Sequence, residues 1–501
     1  MNLAAVLQRR IERGFDPVAI FRELCDIPAV SFTEYLMFRY LVAEFRRLRT
    51  ELPAGAAERF SIDFSPMGQL RVRWQGQPDD RRKTILVAHV DREGFLVTGV
   101  DRAAARAYCW HTAGASLEPH EIGRRVALAC DDMEIRGTIL SSAEKSERPS
   151  CDKPFDHVVE VRIDEAGPPT GRQIERNDYF RGTGHYDLPL WQHQDGVIAT
   201  PSVDDAAGVS VLVALMTAVA RRQWRVNVEC LFTTCEESGF CGAVDEILGG
   251  TAFQQDADEA ICIVVDSSSH LGLIEDAGLW NPEPAVEPDM SRAVEIPLQI
   301  PVIRTGDVRC GYDHDVVRML RAAAGNLAAA AEQRDWIPPR SRPSQADELR
   351  NVFDPAGRAG AAGVAPRTGR KRALVGRMVG GWCEATPLML ANQIRRRKGL
   401  DPLKLRVGSV AIPVGGFRNS FNNDLQPEKC HEEALRSTCQ ILGEAIRLCH
   451  RWSFDETGSH TSLPANADEI VDELLDWHER FKGISAVTRQ HFTQSVESGV
   501  M

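Results

Sequence analysis

Several features that would decide the class of this chain at once are missing from it. No apolar run approaches the length of a membrane span, and the start, Met1-Asn-Leu-Ala-Ala-Val-Leu-Gln8, is amphipathic rather than the apolar core and cleavage site of a secretory signal. No two cysteines are spaced as CxxC, which argues against zinc-ribbon and thioredoxin-like readings. There is no internal repeat. Positive charge is in deficit, with 59 Lys and Arg against 71 Asp and Glu and a net charge of −12. Neither nucleic acid nor an anionic membrane is therefore expected as a partner. The thirteen cysteines are odd in number. Cys230, Cys262, Cys439 and Cys449 fall in apolar periodic segments, so the set reads as reduced thiols of a cytoplasmic protein.

What is present is length. At 501 residues the chain exceeds the roughly 250–300 residues that one core usually reaches, so two domains or one domain with large insertions are expected. Residues 17–50 read as two amphipathic helices separated by Pro28, with Ser31-Phe-Thr33 capping the second. Residues 60–76 alternate as a hairpin, and 84–90 is a buried strand. From about 97 to 195 short β-like pieces are divided by Gly, Pro and charged turns, the texture of a small inserted β domain. Helix and strand then alternate again: a buried helix after Asp204-Asp205, strands at 226–234 and 260–265, a strand at Leu298–Ile303, a helix after Asp315, a strand at 405–413 and a helix over Glu428–Arg451. Residues 335–372, rich in Pro, Gly, Arg and Ala, read as a flexible insertion. The tail from about 455 is weakly amphipathic around Ile470-Val-Asp-Glu-Leu-Leu-Asp-Trp477, either a peripheral helix or an interaction tail. The expected fold is a three-layer α/β/α domain, residues 1–96 and 196–454, with a β-rich domain at 97–195, the 335–372 insertion and a 455–501 tail.

The chemistry gathers where strands end. Thr84-Ile-Leu-Val-Ala-His-Val-Asp-Arg-Glu-Gly-Phe95 is an apolar run closing on His89, Asp91 and Glu93, three side chains that an extended backbone sends to one face. Open α/β sheets place ligands at such ends. Asp204 and Asp205, then Glu236 and Glu237, then Asp266 follow at the ends of later segments. Imidazole plus carboxylate ligands, with one carboxylate left free as a base, is what a hydrolytic metal site requires.

In this order the segments Ala88-His-Val-Asp-Arg-Glu-Gly-Phe95, Val203-Asp-Asp-Ala-Ala-Gly208, Cys235-Glu-Glu-Ser-Gly-Phe-Cys-Gly-Ala243 and Val264-Val-Asp266 resemble the motifs of the co-catalytic zinc aminopeptidases of the M20/M42/M28 clan. Pro301-Val-Ile-Arg-Thr-Gly-Asp307 and Gly380-Gly-Trp-Cys-Glu-Ala385 are similar to blocks of an M20/M42-like subgroup. The resemblance implies His89, Glu237 and Asp266 as terminal metal ligands, Asp204 as a bridging ligand and Asp91 as the partner that orients His89. Glu236 becomes the general base on a metal-bound water, and Asp205 a support for its turn. It further implies one or two zinc ions, with cobalt or manganese as alternatives, a peptide or small amide substrate, and a homo-oligomer, since the inserted β domain of M42 enzymes mediates assembly.

One position departs from the pattern. Where the family carries its last His ligand, Ile412-Pro-Val-Gly-Gly-Phe-Arg-Asn419 has Arg418, and a guanidinium does not ligate zinc. His431 reads as an exposed helix residue. Three functions stay open at this level: a metal-dependent hydrolase of peptides or small amides; a catalytically impaired relative serving as a binding or assembly module; and an N-acyl amidohydrolase in which Arg418 grips a substrate carboxylate.

Overall fold

A computed structural model describes residues 15–77, 82–112, 122–130, 133–144, 157–167, 179–188, 190–253, 259–268, 270–274, 294–334, 373–378, 382–415, 427–454 and 463–497. The 335–372 insertion and Arg418 lie outside them.

The chain begins with α1 (Pro17–Leu24) and α2 (Tyr35–Glu51), followed by the hairpin β1 (Phe60–Phe64) and β2 (Leu70–Gln75) and by β3 (Arg82–His89). Pro17 opens α1, where a missing N–H costs nothing, and Asp16 caps it by accepting from the Val18 N–H. The expected cap of α2 is absent: Glu34 occupies that position without a side-chain bond to the helix, its carboxylate accepting instead from the Cys235 N–H. Thr33 Oγ1 donates instead to the Val30 carbonyl, and Ser31 Oγ donates to Asp91 at 2.7 Å. A distant carboxylate has taken the hydroxyl that local pattern would assign to the helix.

Between β3 and β10 (Gln192–Gln194) the chain builds β4 (Phe95–Asp101), β5 (Arg106–His111), β6 (Arg125–Cys130), β7 (Met133–Glu144), β8 (His157–Gly167) and β9 (Gly182–Tyr186). They close into a barrel in the order β4-β5-β8-β7-β6-β9. Inward positions are apolar, among them Phe95, Val97, Leu128, Ile135, Ile139 and Val161, which form a core of their own. Alternation along the strands produces this, because every second side chain faces the axis between the register shifts of the β4–β5 and β7–β8 pairs.

After β11 (Val197–Thr200) the main domain resumes with α3 (Val203–Arg221), β12 (Asn227–Thr233), α4 (Cys241–Gly249), β13 (Glu259–Ser268), β14 (His270–Ile274), β15 (Val294–Glu295), β16 (Val302–Gly306) and α5 (His314–Arg334). Then come β17 (Leu374–Met378), two short helices (Ala385–Met389 and Ala391–Arg397), β18 (Leu405–Pro413), β19 (Glu428–His431), α6 (Glu432–Cys449) and α7 (Ala467–Glu497). Ten strands form one mixed sheet in the order β1-β2-β12-β3-β13-β18-β16-β17-β14-β15. Helices α1, α3, α5 and α6 pack together as one cover and α4, the two short helices and α7 as another. This is the expected three-layer α/β arrangement.

Several boundaries differ from expectation, each because tertiary pairing overrules local pattern. The strand expected at 298–303 is a turn at 298–299 followed by β16 from Val302, where pairing with β18 begins. Residues 428–431 are a strand paired with β11 rather than helix, and His431 caps α6 by accepting from the Glu433 N–H at 3.1 Å. The tail is a helix whose Ile470, Val471, Leu474 and Ile484 are buried. Helix α3 is long and apolar enough to cross a bilayer, contrary to the sequence reading, but 89% of its apolar window is buried inside the protein. It is the central core helix.

Candidate metal centre

Three parallel strands carry the site. Thr233 at the end of β12 is level with His89 at the end of β3. The β13 register pairs Val264 with Val87, and continued two residues it puts Asp266 level with His89. Three adjacent strand ends thus deliver Glu236-Glu237, His89 and Asp266 to one edge, and the start of α3 brings Asp204 across them. His89 Nε2 lies 3.1 Å from Asp204 Oδ1 and 3.9 Å from Asp266 Oδ1. Ligand atoms of these three residues all lie within 4.8 Å of one another, the one such group of potential metal ligands among the described residues. One imidazole and two carboxylates around a common point suit a divalent ion of the zinc, cobalt or manganese kind.

Asp91 is buried and fully engaged. The Asp91 carbonyl, 3.0 Å from His89 Nδ1, steers the imidazole, whereas its carboxylate is 3.5 Å away. That carboxylate accepts instead from the Ser31 hydroxyl and from the N–H groups of Glu236 at 3.0 Å and Glu237 at 3.2 Å. Asp91 therefore sets both the His89 ring and the turn bearing the two glutamates. Gly239 ends this turn at φ +84, and a Cβ there would meet Trp477 of α7 at 2.9 Å, so glycine is required twice over. Asp205 Oδ1 accepts from the Gly208 N–H at 2.9 Å, as expected of a turn support.

The electrostatics follow from crowding. Burial drives the Glu236 and Glu237 carboxyls well above the ordinary range, and neighbouring carboxylates add to it. Burial also raises Asp205 and Asp266. His89 is opposed by burial, yet the carboxylates of Glu236, Asp204 and Asp91 outweigh it and raise its pKa well above the usual value. Asp204 is held below its usual value despite burial because His89 bonds to it. The described carboxylates here outnumber the cationic groups His89 and Arg304, a charge balance that suits a divalent cation.

Three participants carried no signal in the local sequence pattern. Glu428 accepts from the N–H groups of Val203 at 2.7 Å and Asp204 at 3.1 Å, pinning the backbone that presents Asp204. Glu384 accepts from the Thr233 hydroxyl while its other oxygen is buried without a hydrogen bond among the described residues. Arg304, fully buried, donates to Asp266 Oδ2 at 3.2 Å and to the Ser267 carbonyl. Only their position inside quoted blocks, or in the first residues of an expected helix, could have drawn attention to them.

Residues 68–271 match the model of the M42 glutamyl aminopeptidase family, a stretch that contains His89, Asp91, Asp204, Glu236, Glu237 and Asp266. Over that stretch the chain is similar to the M42 family. Its fold is similar to that of a TET aminopeptidase from a marine-sediment Thaumarchaeota archaeon, at 14% identity and TM-score 0.53 over 91% of this chain and 99% of that one. An aminopeptidase of Desulfurococcus kamchatkensis is similar at 14% identity and TM-score 0.53, covering 86% and 94%. The TET1 peptidase of Pyrococcus horikoshii is similar at 15% identity and TM-score 0.51, covering 86% and 98%. At these identities the likeness establishes the fold. No curated protein sequence matches this chain.

Proposed function

We propose that this M42-like chain is a metal-dependent hydrolase of peptide or small amide bonds, aminopeptidase-like in its chemistry. The observation that carries the reading is the convergence of His89, Asp204 and Asp266 within 4.8 Å beside the Glu236-Glu237 turn. His89, Asp204 and Asp266 would hold one divalent ion, zinc by preference of the donor set, with Glu237 as the ligand for any second one. A bound ion supplies Lewis-acid polarisation of the scissile carbonyl and a more acidic water.

The remaining steps belong to the chain's own groups. A Glu236 carboxylate oxygen removes the proton of the attacking water and returns it to the leaving amine nitrogen; burial raises its basicity toward that task. Asp91 keeps Glu236 in place through its backbone N–H. Glu428 keeps Asp204 in place in the same manner.

The Pyrococcus horikoshii relative is described as assembling into a tetrahedron or a large octahedral shell. With the barrel between β3 and β10, this supports a homo-oligomer for the present chain. A cytoplasmic location is likewise proposed, supported by the burial of all twelve described cysteines.

The test is metal analysis of the purified protein together with amine release from a panel of aminoacyl, dipeptide and N-acyl substrates. Bound zinc, cobalt or manganese and amine release that Glu236→Gln abolishes support the reading. Absence of both metal and amine release overturns it. Turnover confined to acidic N-acyl compounds would favour the Arg418 amidohydrolase instead.

A further inference from the structure

Asp266 has two oxygens in different surroundings. Oδ1 accepts from the Ser267 backbone N–H and is the one near His89 Nε2, at 3.9 Å. Oδ2 is taken by Arg304 Nη1 at 3.2 Å, while Nη2 of the same guanidinium donates to the Ser267 carbonyl. The arginine is not an adjacent residue that happens to touch. It comes from β16, pairing with Ser409 of β18, while Asp266 of β13 pairs with Ala411 on the other side of β18. Its side chain therefore crosses a whole strand, and it does so where the intervening positions, Ser409 and Ala411, two residues apart and hence on one face, are small and fully buried.

Arg304 is completely buried, and its other electrostatic neighbours, Cys383 and Tyr312, are kept neutral by burial. Asp266 is thus its one anionic partner among these groups. A guanidinium fork that bonds a carboxylate oxygen and the next residue's carbonyl together defines the carboxylate's rotation, which a single flexible donor would not do.

We propose that Arg304 is a positioning residue for the metal centre: by occupying Asp266 Oδ2 it presents Oδ1 alone to the ion, making Asp266 a one-oxygen ligand. This rests on the metal-centre reading above and adds to it the residue that determines one ligand's mode. The positive charge of Arg304 acts against cation binding, and its grip on Asp266 acts for it. The proposal is that the grip dominates, since a buried carboxylate deprived of its partner turns to find other donors.

The experiment loads cobalt(II) onto the full-length wild-type protein, Arg304→Gln and Arg304→Lys. It reads affinity by competition with a chelating dye and ligand geometry from the visible cobalt absorption, with far-UV circular dichroism as the check on folding. Arg304→Gln is expected to weaken cobalt binding by about 10–100-fold, as for other partners of metal ligands, and to change the intensity of the cobalt bands as Asp266 Oδ2 is released. Arg304→Lys, which keeps the charge and loses the fork, is expected to move both readouts in the same direction by less.

A folded Arg304→Gln with wild-type affinity and bands overturns the proposal, as does tighter binding, which would make the guanidinium a repulsive charge only. Should Arg304→Gln fail to fold, Arg304→Lys decides alone, and wild-type behaviour overturns the proposal. If the wild-type protein takes up no cobalt, the metal-centre reading itself fails, an outcome distinct from the failure of Arg304's role.

Discussion

The barrel and the edge of the main sheet are both made of strands, and they bury opposite things. Inside the barrel the facing residues are Phe95, Val97, Leu128, Ile135, Ile139 and Val161, and the charges stand outside in pairs such as Arg106 with Glu160, 30% and 35% exposed. At the ends of β3, β12 and β13 the buried groups are His89, Asp91 and Asp266, and the guanidinium paired with Asp266 is fully buried. Apolar burial in the barrel is favourable in itself, at roughly 25 cal/mol per Å². Burying carboxylates costs free energy unless each has donors or a cation. The barrel is therefore organised for stability, and the sheet edge accepts a cost of the kind found where ligands bind.

Four substitutions and one condition would break or sharpen this contrast. Glu236→Gln should lower kcat by about 10²–10⁴-fold, the usual share of a general base, with metal content and melting temperature unchanged. Steady-state amine release and metal analysis on one preparation check it. Phe95→Ala in the barrel should do the reverse, costing about 3–5 kcal/mol of stability in denaturant titration while metal affinity per folded molecule holds.

Smaller is the pH effect. Burial pushes Glu34 to about 8, with Asp91 adding to it, and Glu384 to about 7, from an ordinary 4.5. The folded protein thus holds more protons than the unfolded chain between about pH 4.5 and 8, so these groups stabilise fully below 4.5 and their contribution is lost as pH rises through 7 to 8. The metal-free protein should melt progressively lower across that window, and Glu34→Gln should flatten the slope. A slope of opposite sign would mean that the carboxylates at the sheet edge are compensated after all. Least of all, Arg106→Ala should change stability by no more than about 0.5 kcal/mol, since half-exposed pairs are screened by solvent. A larger loss would erase the distinction between the two regions.

Much of the edge was legible because it is made by short-range rules. An apolar strand followed by His89 and Asp91 sends both side chains one way. The same holds for the carboxylates after β12 and β13, so the set His89, Asp204 and Asp266 could be assembled from motif order alone. Asp91 was less legible: its role toward Glu236 and Glu237 runs through backbone N–H groups 145 and 146 residues away, and any residue type could supply those. The cap expected from Ser31 and Thr33 failed for a related reason, since Asp91 competes for the Ser31 hydroxyl.

The sequence by itself determined the periodicities: the barrel strands, the amphipathic helices, the apolar α3 and the acidic strand ends. Each of these depends on neighbours a few residues apart, where helix and strand geometry is invariant. Only the tertiary structure decided which strand lay beside which, and with it the partners of the charges. Arg304 reaches Asp266 because β18 separates β16 from β13 and presents small Ser409 and Ala411 to it. No local rule encodes that neighbour, because strand order is settled by how the whole sheet packs between its helices.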